Sequence, residues 1–240
     1  MLDFWAVYCK ECKELFSQGS KQTIMRLLLV LLGGIWIPFQ AGILWLQLSL
    51  PSILFLSIFP MFIGVSLIAD LLAGERERHT LETLLASRLS NWSIVIGKAT
   101  CIVTLSWGIT LISLVLGFVV ANMSNGGGHT WTFYPLDLLL AVTILSLTTS
   151  VLITFIGVLF SMHAATVRQV QQMLSFGTII FFAVAGFLVI QLIDQPFIKP
   201  LLAMNSTELL SIVTASIAII DIILMLVSLA RFQRSRLILD

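Results

Sequence analysis

The residues with most chemical potential lie in one polar interval, Asp70 to Ser87, followed by Arg88-Leu-Ser-Asn-Trp-Ser-Ile-Val-Ile-Gly-Lys98. Glu75-Arg76-Glu77-Arg78 alternate in sign. Gly74 can end a preceding helix, Thr80 can cap a new one with Glu82 in its first turn, and Leu81, Leu84 and Leu85 form a narrow apolar face. The pattern predicts a short amphipathic helix over about 75–87. Mixed charges suit a solvated face that docks on a charged partner, whereas a lipid-binding face would be all basic. On physical grounds alone an ordinary polar loop accounts for the same residues equally well.

Elsewhere, ionisable groups are sparse. Asp221 falls well inside an apolar run, where a carboxylate costs about 2.5–3.5 kcal/mol on insertion scales and so turns towards protein or water. Gln40, beside Pro38, is a weaker example of the same kind, because an uncharged amide also serves as glue between helices. Thr143, Ser146, Ser150 and Thr154 share one helical face, and Ser106, Thr110 and Ser113 share another. Such stripes can line a translocation path, but hydroxyl residues also pack helices together, and packing is the favoured reading.

Cys9-x-x-Cys12 has the spacing of half a zinc site, yet no second pair accompanies it and His79, His129 and His163 lie in separate segments, so no metal site is expected. The three cysteines, with Cys101, read as free thiols. Neither a nucleophile elbow nor a paired-carboxylate arrangement is present, and no Gly-x-x-x-x-Gly-Lys-Ser/Thr phosphate loop occurs, since Gly97-Lys98 lacks its other members. No catalytic residue is assigned.

The elements that must position these groups follow from composition. Of 240 residues, 58% are hydrophobic and 10% charged, with a mean hydropathy of +1.05. Ordinary soluble domains carry roughly a quarter charged residues. Lipid is therefore the solvent for most of the chain. A net charge of +1 gives nucleic-acid binding no support. No charge occurs between Arg26 and Asp70, a gap long enough for two spans with a turn near Ser49-Leu50-Pro51-Ser52. The fold expected is an all-α membrane protein, one transmembrane domain over 1–240, with six spans at about 25–47, 51–72, 97–121, 136–161, 173–193 and 207–230. Kinks are expected at Pro38 and Pro60.

Six spans put both termini on one side, and the basic residues agree. Lys10, Lys13, Lys21, Arg26, Arg76, Arg78, Arg88, Lys98, Arg168, Arg231, Arg234 and Arg236 all fall on that side, leaving only Lys199 opposite. By the positive-inside rule both termini are cytoplasmic. About 25 polar and amphipathic residues precede the first apolar run, so a cleaved signal peptide is not expected. Within 1–20, Leu2, Trp5, Cys9, Cys12 and Phe16 recur at helical spacing, with Lys10, Glu11, Lys13 and Glu14 opposite. This predicts an amphipathic helix lying in the cytoplasmic interface. Packing against the protein's own loops is the alternative. His129 and Trp131 read as anchors at the other interface.

The run Ala73-Gly-Glu-Arg-Glu-Arg-x-Thr-Leu-Glu-x-Leu-Leu-Ala-Ser87, followed by Trp92-Ser-Ile-Val-Ile-Gly-Lys98, resembles the ABC-2 type transporter permease family, as does Lys10-Glu-Cys-Lys-Glu-Leu15. His79, where a small residue is more usual, and Arg88-Leu89, where proline is frequent, are mild departures. The resemblance implies a permease subunit of an ABC exporter in the cell membrane, which dimerises, as a homodimer, and docks each copy on a cytoplasmic ATP-binding subunit through the helix at about 75–87. ATP and magnesium would be bound by that partner, present in two copies, with no cofactor and no ATPase site in this chain. The coupling residues so implied are Gly74, Glu75, Arg76, Glu77, Arg78, Thr80, Leu81, Glu82, Leu84 and Leu85.

Two other readings stand beside it. A membrane-embedded enzyme acting on lipid would need clustered acidic or histidine residues at one face, and the acidic residues of 75–82 are interleaved with arginine. An ion-coupled carrier without an ATPase has Asp221 as its support. An apolar path would suit a lipid, a hydrophobic peptide or a drug better than a charged sugar.

Overall fold

The computed structural model describes residues 2–17, 28–47, 49–69, 73–77, 90–124, 131–164, 166–192 and 205–231. Of the implied coupling residues, Arg78, Thr80, Leu81, Glu82, Leu84 and Leu85 lie outside them, as does His129.

Helices and their connections make up the described chain. They are α1 (Leu2–Ser17), α2 (Leu28–Ala41), α3 (Ile43–Leu46), α4 (Leu50–Ile68), α5 (Ala73–Glu77), α6 (Asn91–Ser124), α7 (Leu136–His163), α8 (Val167–Leu192) and α9 (Ser206–Arg231). The helices that include α4, α6, α7 and α9 are long and apolar enough to cross a membrane, and α2 is a shorter apolar helix.

The stretch expected as one span over about 25–47 is interrupted. Leu32–Trp36 form a π-turn that ends two residues before Pro38, which sits at the start of the following helical turn. Proline offers no N–H to the preceding turn, and the wider turn absorbs that missing bond. The chain then breaks at Gly42, with φ 53° and ψ −126°, a conformation only glycine takes freely. Pro60 lies inside α4.

Two helices start earlier than apolar content alone suggests. α6 begins at Asn91 because the Ser93 N–H donates to Ser90 Oγ (3.1 Å), and α8 begins at Val167 because the Gln169 N–H donates to Thr166 Oγ1 (3.2 Å). Both are N-caps reaching the third residue of the helix, which satisfies one of the free donors there.

Packing centres on α7, against which α4, α6, α8 and α9 all lie. Small residues allow the close α4–α7 approach: a Cβ on Gly157 would collide with the Ile68 side chain, and one on Gly64 would come within 2.8 Å of Ile153 Cγ2. Thr149 Oγ1 crosses the same contact to donate to the Ser57 carbonyl (2.8 Å). The larger apolar cluster, including Phe59, Ile63, Leu67, Ile94, Ile102, Ile153 and Val158, joins α4, α6 and α7. At the far end of the bundle Trp45 Nε1 donates to the Tyr134 hydroxyl (2.9 Å), which donates to the Leu114 carbonyl (3.2 Å).

α1 lies against the first turns of α6. Its buried face is Val7, Glu11 and Leu15, flanked by Tyr8 and Cys12, while Trp5 and Cys9 are exposed. The face expected from apolar spacing is thus rotated, and Glu11, expected among the solvated charges, points inward. The reason is a buried partner on α6, described below. Lys10 and Glu14 remain outside, 3.4 Å apart.

Gly157→Ala is expected to destabilise the fold by about 1–3 kcal/mol, since the added methyl meets Ile68 across a packed contact. Gly108→Ala, with nothing within 4 Å of the new atom, should be neutral or stabilise by up to about 1 kcal/mol through helix propensity. Thermal unfolding of both variants in detergent makes the comparison. Equal melting would remove close approach as the constraint.

Candidate functional site

At the end of the bundle that carries α1, three elements converge on one ammonium group. Lys98, about two turns into α6, has only 1% of its side chain exposed. Its Nζ lies 2.6 Å from Glu11 Oε1 of α1 and 3.0 Å from Glu75 Oε1 of α5. Both carboxylates are themselves buried. An ammonium out of water is tolerated only when paired and hydrogen-bonded, so the three side chains require one another.

The next two residues of α5 take different partners. Arg76 donates from Nη1 to the Ala164 carbonyl (2.7 Å) and from Nη2 to the Met162 carbonyl (3.2 Å). Those carbonyls sit at the C-terminal end of α7, where free acceptors and the negative pole of the helix dipole favour a cation. Glu77 Oε1 accepts from the Val167 N–H (2.9 Å), the first residue of α8, where the positive pole favours an anion. The Ala73 N–H donates to Ser161 Oγ (3.1 Å), fixing the start of α5 on α7. Ala73, Glu75, Arg76 and Glu77 thereby bond to α6, α7 and α8, and Lys98 links the segment on to Glu11 of α1.

This corrects the reading of the sign alternation as a solvated docking face. Over 75–77 each charge has its own intramolecular partner, with Glu75 buried, Arg76 half-buried and Glu77 exposed but bonded. Gly74 is buried inside α5 and does not end a helix. Lys98, read from sequence as one more basic residue on one side of the membrane, is the centre of the arrangement. The available signal was a lysine among Ile94, Val95, Ala99, Cys101 and Ile102, apolar neighbours that a solvated lysine would not have.

The residues that could line a path lie on α2, α6, α7 and α9. Ser106, Ser146, Ser150 and Thr154 are buried, and each hydroxyl donates to a carbonyl three or four residues back in its own helix. Thr110 and Thr143 do the same. Self-bonded hydroxyls of this kind fill helix contacts. Trp107 Nε1 donates across to the Thr143 carbonyl (3.2 Å), tying α6 to α7. Gln40 is exposed on α2. Asp221 is buried on α9, a helix that packs against α7, and its Oδ1 has no hydrogen-bond partner among the described residues. No group of three metal-ligating side chains occurs among the described residues.

A family model described as ABC-2 family transporter protein matches residues 4–232, which takes in α1, the Lys98 centre and all the long helices. The chain belongs to the ABC-2 transporter family. No curated protein matches it. Family membership and the apolar helices together make it a multi-pass, all-α membrane protein, and the resemblance carried by Ala73–Ser87 and Trp92–Lys98 pointed to the same family. In this ABC-2 protein the motif's first charges are structural bonds between helices.

Lys98→Met removes the cation that bridges two buried carboxylates and is expected to cost about 3–5 kcal/mol. Adding Glu11→Gln and Glu75→Gln should recover most of that loss, because a neutral, well-packed trio leaves no uncompensated charge. Thermal unfolding of the single and triple variants reads the difference. A single variant as stable as the parent would show that the centre does not form.

Proposed function

We propose that the chain is the membrane-spanning permease subunit of an ATP-driven exporter, working as a homodimer with two copies of a separate ATP-binding subunit. On this reading the spans are six: α2 with α3, then α4, α6, α7, α8 and α9. Both termini, α1 and the segment beginning at α5 lie on the cytoplasmic side of the cell membrane. Twelve of the thirteen Lys and Arg residues then fall inside, which supports the orientation. α1 lies at that interface, with exposed Trp5 on the side away from α6.

The observation that carries the proposal is the simultaneous attachment of Ala73–Glu77 to α6 through Lys98, to α7 through Arg76 and to α8 through Glu77. A partner that grips the residues following Glu77 and moves them on ATP binding would pull on three spans through bonds of defined geometry. ATP, magnesium and hydrolysis belong to that partner, and this chain converts the motion into translocation. An apolar or amphiphilic cargo fits its composition best. The polar interval 75–87 retains the docking role, with its contact surface in the part beyond Glu77.

A second reading, an ion-coupled carrier, is favoured by the buried Asp221 with its free oxygen. It predicts transport driven by a proton gradient without any ATP-binding subunit.

The test is co-purification with the ATP-binding subunit encoded in a neighbouring reading frame, and the response of that subunit's ATPase to the permease. Arg76→Ala should leave the complex assembled and weaken the ATPase response by about 2- to 30-fold, the span of typical coupling losses. It is a better probe than Glu75→Ala, which would strip a buried lysine of one partner. Failure of any ATP-binding subunit to associate, with gradient-driven uptake lost in Asp221→Asn, would replace the exporter reading with the carrier.

A further inference from the structure

Beside the Lys98 centre lies a pair of thiols, Cys101 in the apolar cluster and Cys12 packed against it. Cys12 Sγ of α1 is 2.6 Å from Cys101 Sγ of α6. That distance approaches the ~2.05 Å of a covalent S–S bond. Both cysteines are free thiols, Cys101 fully buried and Cys12 half-buried, whereas Cys9 is exposed and turned away.

The alignment that brings the sulfurs together is fixed by contacts on either side. Glu11, next to Cys12, is bound to Lys98, one turn before Cys101. Val7 packs on Gly97 so closely that a Cβ there would come within 2.9 Å of Val7 Cγ1. The Tyr8 hydroxyl is 3.2 Å from Thr104 Oγ1, one turn beyond Cys101. These contacts set both the position of α1 along α6 and its rotation about its own axis. A thiol pair held this way meets at high effective concentration whenever an oxidant is present.

We propose that Cys12 and Cys101 form a redox-reversible disulfide that staples α1 to α6 beside the Lys98 centre. The oxidant is a small-molecule disulfide of the glutathione class. Cys12, the accessible sulfur, attacks as thiolate, forming a mixed disulfide and releasing one thiol. Cys101 then attacks the Cys12 sulfur, forming the protein S–S bond and displacing the second thiol. Two protein thiols are oxidised by two electrons in total, one external disulfide is reduced to two thiols, and the protons leave with them. In a reducing compartment the pair stays open. When closed, the bond spans 89 residues of sequence and holds Glu11 in place against Lys98.

The linkage depends only on the geometry. Its effect on transport rests on the coupling role proposed for this junction, and the two are read separately. Full-length protein in lipid nanodiscs is treated with oxidised glutathione, alkylated and digested without reduction. The expected product joins the peptides of Cys12 and Cys101, with Cys9 alkylated, and dithiothreitol reverses it. Cys101→Ser should instead trap a glutathione adduct on Cys12, and Cys12→Ser should leave Cys101 unmodified. Hydrogen exchange in α1 should slow by about tenfold or more on oxidation of the parent protein and stay unchanged in Cys101→Ser. Linkage through Cys9, a glutathione adduct on Cys12 as the end product in the parent, or unchanged α1 exchange despite linkage would each overturn the staple. If linkage forms and slows α1 exchange while the ATPase response of the assembled complex is unaltered, the staple stands and the coupling role of the junction fails.

Discussion

Lys98 carries its charge where almost none of its side chain meets solvent, and an ammonium in that position must be neutralised by groups that come to it. Glu11 and Glu75 do so from two other parts of the chain. The docking of α1, the placement of α5 and the entry into α6 thus hang on one charge. The arrangement contains two carboxylates for one ammonium, and each acid ties a different element of the chain to the same charge. Ion pairs of this kind add little net stability over well-packed apolar groups, but they are strict about geometry. Strictness suits a junction that fixes the register of three elements on one another.

Arg76 and Glu77 extend the same logic with the opposite pairing. The turn between α7 and α8 exposes the C-terminal carbonyls of one helix and the N-terminal N–H groups of the next, poles of opposite sign within a few residues. An adjacent Arg-Glu pair on a neighbouring segment can meet both poles at once, and in that order it does. Alternating charge in α5 is therefore a set of addresses, each answered by a different helix.

The sequence made the class legible because a charge-free stretch between Arg26 and Asp70 admits few alternatives to lipid as solvent. The family was legible in Ala73–Ser87 with Trp92–Lys98, a run specific enough to survive two departures. The helix starts were recoverable too, since Ser90-x-x-Ser93 and Thr166-x-x-Gln169 carry capping side chains, but apolar content drew attention further along the chain. The inward turn of Glu11 was not legible. On α1 the apolar spacing of Trp5, Cys9 and Cys12 competed with a stripe through Val7, Glu11 and Leu15, and only the position of Lys98, 87 residues later, decides between them. The Cys12–Cys101 approach was hidden for the same reason, as a contact created by helix register across 89 positions.

The length of α6 explains why the junction sits where it does. At 34 residues it runs about 50 Å, against a hydrocarbon core of about 30 Å, so several turns stand outside the apolar layer. A buried lysine two turns into the helix is tolerated only if protein replaces the water it would otherwise keep, and α1 and α5 are the cover. At the opposite end the same helix is held by neutral groups: Asn122 Oδ1 accepts from the Thr132 N–H (3.0 Å), and Phe118 packs among Trp131, Phe133 and Tyr134. Aromatic side chains there match an interface in which apolar rings carry polar edges. One end of α6 is therefore fixed by ionic bonds, and the other, among the described residues, by neutral hydrogen bonds and ring packing. On the permease reading proposed above, a pull on α5 would tilt α6 and α7 about their aromatic end, because displacement would enter where the ionic bonds are and be resisted where the rings are packed.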